Sequence, residues 1–408
     1  MTEVLERTDV NDNNTPCGVF TTTRAELVDA LATVAAAIPS RPPVPCMAGV
    51  LLESSGTDLW VRGFDYDTSI TVRIPDAVET PGRMLVNYHE LSQLLKALTK
   101  GMGKREADRL PVSVRNEEHQ CATVTLAEST IPMELLPVED YPTLPSVPDV
   151  FALVDGEKFT TETKRVLRAV GADDTLPMLT GMKIDVSSHG LTLAATDRYR
   201  LAVAHVHAGL LPDAVPAKGT LIDGATVRKV LPKLRSQDIR LGYGSDDHGA
   251  LVSLESGPVT VITREHHNGE FANYRELLFT ECAVTVVADR AELLKQIQRA
   301  AAVLSAKGEK AAPVIVSVDA DAVTVAPSVK HQAGQVRTRA LPATVTGPGT
   351  GMAIAFTHQF LAEAVDSFTG ETLTLNITEP TKPVLFTDTP DGLGDRTEFR
   401  HLVMPVRL

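Results

Sequence analysis

The segment Thr196-Asp197-Arg198-Tyr199-Arg200 sets one carboxylate among a hydroxyl and two guanidinium groups, the ingredients of a general base poised by cations. No nucleophile or cofactor motif accompanies it. A plainer use exists: an Asp that opens a tight turn accepts hydrogen bonds from nearby backbone amides and so joins two strands. His205 and His207, and the adjacent His266 and His267, could ligate a metal, but no carboxylate stands at a known spacing from them, and neither metal nor cofactor is expected. Cys17, Cys46, Cys121 and Cys282 are scattered without a C-x-x-C pair and read as reduced, ordinary thiols. Phosphate-loop, dinucleotide, hydrolase-elbow and zincin patterns are absent. The chemistry legible here is binding rather than catalysis.

Cations carry the stronger signal. The net charge of -13 argues against a nucleic-acid partner, yet the basic residues collect on or just after amphipathic segments. Lys96, Lys100, Lys104 and Arg105 mark one such segment; Lys164, Arg165 and Arg168 a second; Arg228, Lys229, Lys233 and Arg235 a third; Lys295 and Arg299 a fourth. On a single helix such charge does no more than solvate the exposed face. Four helices with the same bias can instead share one basic surface, and Arg41 in Ser40-Arg41-Pro42-Pro43 adds a guanidinium on a rigid turn. Few aromatics interleave with these cations, so contacts to phosphates, which carry no sequence information, are expected rather than base stacking.

Apolar spacing supplies the helices that position these cations. Leu91, Leu94, Leu95 and Leu98 recur at i, i+3, i+4 and i+7 within a helix expected around 88–100. Leu27, Leu31 and Val34 mark a first helix; Val166, Leu167 and Val170 a third; Val227, Val230, Leu231 and Leu234 a fourth. Leu293, Leu294, Ile297, Ala301 and Leu304 mark a fifth, and Phe360, Leu361, Ala364, Val365 and Phe368 a sixth. The first and sixth carry Glu26 and Asp29, and Glu363 and Asp366, and stand outside the basic pattern. Pro232 is expected to kink or shorten the fourth. Between helices, alternation of apolar with polar residues, as in Leu373 to Ile377, indicates antiparallel strands with one wet face.

The strands repeat. Val50, Leu52, Leu59 and Val61 recur as Met182, Ile184, Leu191 and Leu193 and again as Val314, Val316, Val323 and Val325, at a constant offset of 132. Gly49 to Asp65 and Gly181 to Asp197 keep the same offset, whereas the third copy reads Ser328-Val329-Lys330 where the second has Thr-Asp-Arg. Such self-similarity marks repeated structural units, and 408 residues accommodate three. The fold class expected is α+β, three similar domains each with two helices on antiparallel sheets. Pro-rich Tyr141 to Pro148 separates the first from the second, and 268–281 plays that part before the third. The boundaries drawn are a disordered tail over 1–17, then domains over 18–145, 146–279 and 280–408. No apolar run approaches a membrane span and no signal peptide is apparent, so a soluble, cytoplasmic protein without a membrane partner is expected.

Ala195-Thr196-Asp197-Arg198-Tyr199-Arg200-Leu201-Ala202-Val203 closely resembles a signature of the bacterial sliding clamp, the beta subunit of DNA polymerase III, and the C-terminal Val403-Met404-Pro405-Val406-Arg407-Leu408 resembles another. Ser40-Arg41-Pro42 with Pro45, Leu179 to Met182, Gly269-Glu270-Phe271 with Tyr274-Arg275, and Ala301 to Ser305 agree, so the resemblance spans about Phe20 to Leu408. It implies a diverged actinobacterial-type copy: a non-catalytic processivity subunit forming a head-to-tail homodimeric ring around double-stranded DNA. The DNA contacts implied are Arg41, Lys96, Lys100, Lys164, Arg168, Arg228, Lys229, Lys295 and Arg299. It also implies a pocket for short linear motifs of the replicative polymerase, the clamp loader and repair proteins. That pocket comprises Leu179, Thr196, Arg198, Tyr199, Arg200, Leu201, Leu277, Pro383, Leu402 and Met404, with Ala272 on the rim and Phe360 and Val406 flanking.

The chain departs from the family pattern at several places. Ala272 stands where the family usually has proline, His89 where some clamps have arginine, and Asp223-Gly224-Ala225 where basic residues are common. These departures leave an alternative open: a specialised second clamp, or a protein-binding scaffold with an altered pocket, for example one resistant to a pocket-directed inhibitor. An enzyme built on Asp197 and Arg200 is the third reading.

Overall fold

The computed structural model describes residues 18–117, 121–173, 175–211, 215–266, 270–329, 336, 338–348, 351–389, 393 and 398–407. The expected tail over 1–17 with Cys17, and His267, Gly269, Lys330 and Leu408, lie outside them. Two compact units result: one holds the chain up to Pro148 together with Ser253–Arg264, the other Asp149–Val252 with Glu265–Leu408.

In the first unit, Thr68–Ile74, Asp58–Phe64, Gly49–Ser55 and Arg83–Asn87 lie side by side in that order as an antiparallel sheet. Val50, Leu52, Leu59 and Val61 are buried, as period-2 alternation requires of one sheet face. A second sheet is built from Val19–Thr23, Pro111–Glu117, Cys121–Leu126 and Ser129–Leu136. Helix α1 (Arg24–Val34) opens on a reciprocal cap, Thr23 Oγ1 accepting from the Glu26 amide while the Glu26 carboxylate accepts from the Thr23 amide. Helix α2 (Tyr88–Ala97) is capped by Asn87, which accepts from the His89 and Glu90 amides. It ends three residues short of the expected Lys100. Val259–Arg264 pairs with the outer strand Thr68–Ile74, and the Thr68 and Thr263 hydroxyls meet at 3.1 Å.

The second unit repeats this plan twice. Arg200–Val206, Gly190–Thr196, Gly181–Ser187 and Thr220–Asp223 form the second copy of the first sheet, and Ala322–Pro327, Val314–Val318 and Met352–Phe356 the third. Met182, Ile184, Leu191, Leu193, Val314, Val316, Val323 and Val325 are all buried. Phe399–Val403 extends the second copy by pairing with Arg200–Val206, as Val259–Arg264 extends the first. The longer helices of this unit are α3 (Gly156–Val166), α4 (Gly224–Val230), α5 (Arg290–Ala306) and α6 (His358–Asp366). Asp155, Asp223 and Asp289 cap α3, α4 and α5 through the amides of Lys158, Thr226 and Glu292. Pro232 ends α4 early, as expected, and the chain tightens into a 3-10 turn over Leu231–Lys233.

One expectation is corrected. Arg165, assigned by its position to the solvated face of α3, is buried. Its guanidinium lies 3.7 Å from the Phe399 ring centroid, donates to Ser367 O at 2.8 Å and to Glu162 at 3.1 Å, and so joins α3 to residues of the third copy. Residues 270–281, expected to part the second domain from the third, are tied down at one point. Tyr274 among them is buried, and its hydroxyl donates to Asp185 at 2.8 Å, on a carboxylate that Arg275 also reaches at 2.9 Å. Burial and that carboxylate raise the Tyr274 phenol above its usual range. Among the described residues, no helix is long and apolar enough to cross a membrane.

Candidate functional site

The Thr196–Arg200 turn links strands Gly190–Thr196 and Arg200–Val206. Asp197 Oδ1 accepts from the amides of Tyr199 and Arg200, both at 3.0 Å, while Thr196 Oγ1 donates to Arg200 O and accepts from the Arg198 amide. These bonds hold Arg198 at φ 78°, in the left-handed region. Asp197 is therefore spent on backbone amides and on the Arg200 guanidinium, whose Nε donates to it at 2.9 Å. This is the capped turn rather than a base awaiting substrate.

Held this way, Tyr199 projects with 53% of its surface exposed and stacks on Phe360 of α6, the ring centroids 5.9 Å apart and the planes 19° from parallel. The Arg200 guanidinium covers the Phe360 ring at 4.7 Å and is held by Glu363. The Met404 amide donates to Tyr199 O at 2.8 Å, and the Val406 amide to Ala355 O at 2.8 Å, which lays the C-terminal segment alongside. Tyr199, Met404 and Val406 are thereby exposed apolar residues on one patch.

The other pocket residues divide by burial. Leu201 and Leu402, paired across adjacent strands, sink into a core cluster with Tyr274 and Leu385, where they form floor rather than surface. Thr196 is buried, whereas Leu179, Phe360 and Pro383 are half-buried and Arg198, Ala272 and Leu277 exposed. Ala272, Leu277 and Pro383 take no part in the hydrogen bonds and ring contacts just described.

The expected DNA-contacting residues also separate. Arg41, Lys96, Lys100, Lys229, Lys295 and Arg299 stand exposed, Lys295 beside Glu292 at 3.0 Å. Lys164 and Arg228, also exposed, and half-buried Arg168 line a cavity of about 500 Å³ together with Arg200, Leu167, Leu231, Pro232 and Glu363. Arg228 donates to Leu167 O, and burial lowers its pKa. Arg168 pairs with Asp366 at 2.6 Å. The acids of α6, set aside in the sequence because they break the basic pattern, are thus the counter-ions of Arg200 and Arg168. Beneath them His401, fully buried, has its pKa lowered to about 3 by burial first and then by the charges of Arg200, Arg168 and Arg165.

A second cavity of about 500 Å³ is lined by Gln296, Arg299, Val303 and Lys307 of α5 and its C-cap with Val325, Val329 and Arg339. Among the described residues no group of three or more His, Cys, Asp or Glu could hold a metal.

Known proteins match this arrangement along its length. Family models described as DNA polymerase III beta subunit, N-terminal, central and C-terminal domains match residues 19–145, 153–237 and 275–407. The beta sliding clamp of Streptomyces coelicolor is 30% identical over 390 residues, 94% of this chain and 98% of that one. The beta sliding clamp homolog GriR of Streptomyces muensis is 26% identical over 390 residues, covering 95% and 99%. The crystal structure of the Bacillus subtilis sliding clamp superposes with a TM-score of 0.82 at 20% identity, over 96% of this chain and all of that one. That of the Pseudomonas aeruginosa clamp bound to griselimycin does so at 0.79 and 22%, with the same coverage.

Proposed function

Since the chain belongs to the DNA polymerase III beta subunit family, the sliding clamps, which are processivity factors and not enzymes, we propose that it closes with a second copy into a ring around duplex DNA. Tethered there, it holds the replicative polymerase, the clamp loader and repair proteins through short linear motifs seated on the Tyr199–Phe360 patch.

One observation carries the ring reading. The outer strand of the first copy, Thr68–Ile74, is continued by Val259–Arg264, and the outer strand of the second, Arg200–Val206, by Phe399–Val403. In each case the continuing strand comes from the second sheet of the next copy. By the same rule Ser129–Leu136, the corresponding strand of the first copy, continues the third copy of another chain. Head-to-tail closure follows, with exposed Val303 and the cavity beside it as apolar material for the seam. Topological linkage then replaces affinity. A closed ring cannot leave a duplex sideways, so exposed Lys96, Lys100, Lys229 and Lys295 suffice as exchangeable phosphate contacts that permit sliding.

Loading onto nicked circular DNA tests this reading: the protein is retained on circles and lost when the circle is linearised. Equal retention on both forms would refute it.

A second reading, that of a specialised clamp with an altered pocket, is favoured by Ala272, which stands exposed where the family usually has proline, and by the similarity to GriR. Griselimycin, the ligand of the Pseudomonas aeruginosa structure, then binds this protein more weakly than an ordinary clamp. Equal affinity for both sinks it.

A further inference from the structure

The cavity that Arg200 shares with Lys164, Arg168 and Arg228 lies next to the docking patch, and neither the phosphate contacts nor the apolar patch accounts for its build. Its cations fall into two pairs. On the α6 side, Arg200 and Arg168 are each held by a carboxylate, Glu363 and Asp366. On the other side, among the described residues, neither Lys164 nor Arg228 has a carboxylate within ion-pair distance. Arg228 is nonetheless fixed in place by its bond to Leu167 O. Between the pairs lies an apolar floor of Leu167, Leu231 and Pro232.

We propose that this cavity is an anion subsite of the docking patch and takes the carboxylate of an acidic residue carried by the docked segment. The proposal rests on the docking reading above and adds the class of segment: apolar residues for Tyr199, Phe360, Met404 and Val406, with a Glu or Asp within reach of Arg228 and Lys164. The protein already shows which group these guanidinium groups accept, since Glu363 and Asp366 occupy two of them. A carboxylate from the docked segment gives Arg228 and Lys164 the same kind of partner, and charge-assisted hydrogen bonds to Arg are the strong ones.

A backbone phosphate of DNA suits the cavity less well. Lys164 and Arg228 are exposed, but they share a concavity with Arg200 and Arg168, whose side chains are 9% and 30% exposed. Duplex phosphates ride on a convex cylinder, whereas a single side chain can enter a recess. Arg200 also ties the subsite to the patch, because the guanidinium that faces Glu363 covers Phe360. An anion held at Arg228 therefore lies in the same cavity as the guanidinium that covers Phe360.

Two series of short capped peptides test the subsite. Both carry an apolar Leu-Phe pair, with either Glu or Gln scanned through the remaining positions, and both are titrated against the full chain by fluorescence polarisation at low salt. At one position or more, the Glu peptide binds about tenfold tighter than its Gln counterpart. That gain disappears in the Lys164→Gln/Arg228→Gln double variant, while the Gln peptide binds as before, and Arg228→Lys keeps part of it.

Equal binding of Glu and Gln at every position overturns the subsite and leaves the patch standing. So does a gain that survives the double substitution. If the double variant loses only retention on duplex DNA and no Glu gain exists, the cavity is a phosphate contact instead. If neither series binds, the docking reading fails and takes the subsite with it.

Discussion

The turn at Asp65 and the turn at Asp197 are the same structure in two copies of the repeat. In each, the Asp amide donates to the carbonyl three residues on, Thr68 at 3.2 Å and Arg200 at 3.3 Å. In each, Oδ1 accepts from the two amides that close the turn, those of Asp67 and Thr68 in the first and Tyr199 and Arg200 in the second. In each, the residue after the Asp is left-handed, Tyr66 at φ 76° and Arg198 at φ 78°.

What differs is the last position. Thr68 meets Thr263 of the continuing strand, and Arg264 beside it donates from its amide to Asp67 O and from Nε to Tyr66 O. Arg200 reaches out to Glu363 and Phe360 and, with Tyr199, builds the patch. A turn that serves only to close a sheet in the first copy has become, through its side chains, a recognition element in the second. The backbone did not have to change for this, which is how repeats diverge at low cost to the fold.

The sharpest way to break this comparison is to remove both caps. Asp197→Ala takes away two amide bonds and the carboxylate of a buried Arg200, and a loss of about 3 kcal/mol is expected. Asp65→Ala takes away, with its other contacts, two amide bonds of a half-buried carboxylate, for about 1–2 kcal/mol. The single tryptophan, Trp60, lies in the first unit, so its fluorescence follows Asp65→Ala, while circular dichroism follows both. Equal shifts of the same urea transition by the two substitutions would show that the turns are energetically alike and that Arg200 adds nothing.

Much of this was legible in the sequence because it is local. The 132-residue register, the Asp-capped turn, the helix faces and the stop at Pro232 all depend on neighbours within a few residues. What was not legible depends on partners far along the chain. Arg165 reads as one more cation on α3, and its burial is set by Ser367 and Phe399, more than 200 residues away. Glu363 and Asp366 read as breaks in a basic pattern, although each is the counter-ion of a guanidinium contributed by the middle copy. Leu201 and Leu402 cannot be told apart from surface apolar residues until the strands that carry them are paired.

The two joints also differ in what they bury, which gives a pH test of the comparison. Where the first joint sets Val261 opposite Ile70, the second sets His401 opposite Ala202. His401 has Ser367 Oγ 3.1 Å from its Nδ1 and, among the described residues, no hydrogen-bond partner at Nε2, and it stays neutral down to about pH 3. Its folded pKa lies below the ordinary 6.5, so the unfolded chain takes up the proton first. Stability is complete above pH 6.5 and is lost progressively as pH falls from 6.5 towards 3. At pH 5 the second unit gives up about 2 kcal/mol, the Trp60 transition moves little, and His401→Gln removes most of the difference. A second-unit transition that is flat between pH 7 and pH 5 would count against this.

The smallest effect separates the two left-handed residues. Holding a side chain at positive φ costs about 1–2 kcal/mol, and glycine returns part of that as unfolded-state entropy. Tyr66 recovers some of the cost through its ring contact with Phe64 at 5.8 Å, so Tyr66→Gly should leave calorimetric stability unchanged or slightly lower. Arg198 is exposed and its guanidinium makes no such ring contact, so Arg198→Gly should raise stability by about 0.5 kcal/mol. Arg198 is also one of the expected pocket residues, and its side chain is exposed. Arg198→Gly should therefore be the more stable protein and the poorer binder of apolar peptides, and a variant that gains stability without losing affinity would reduce Arg198 to a tolerated substitution in an otherwise repeated turn.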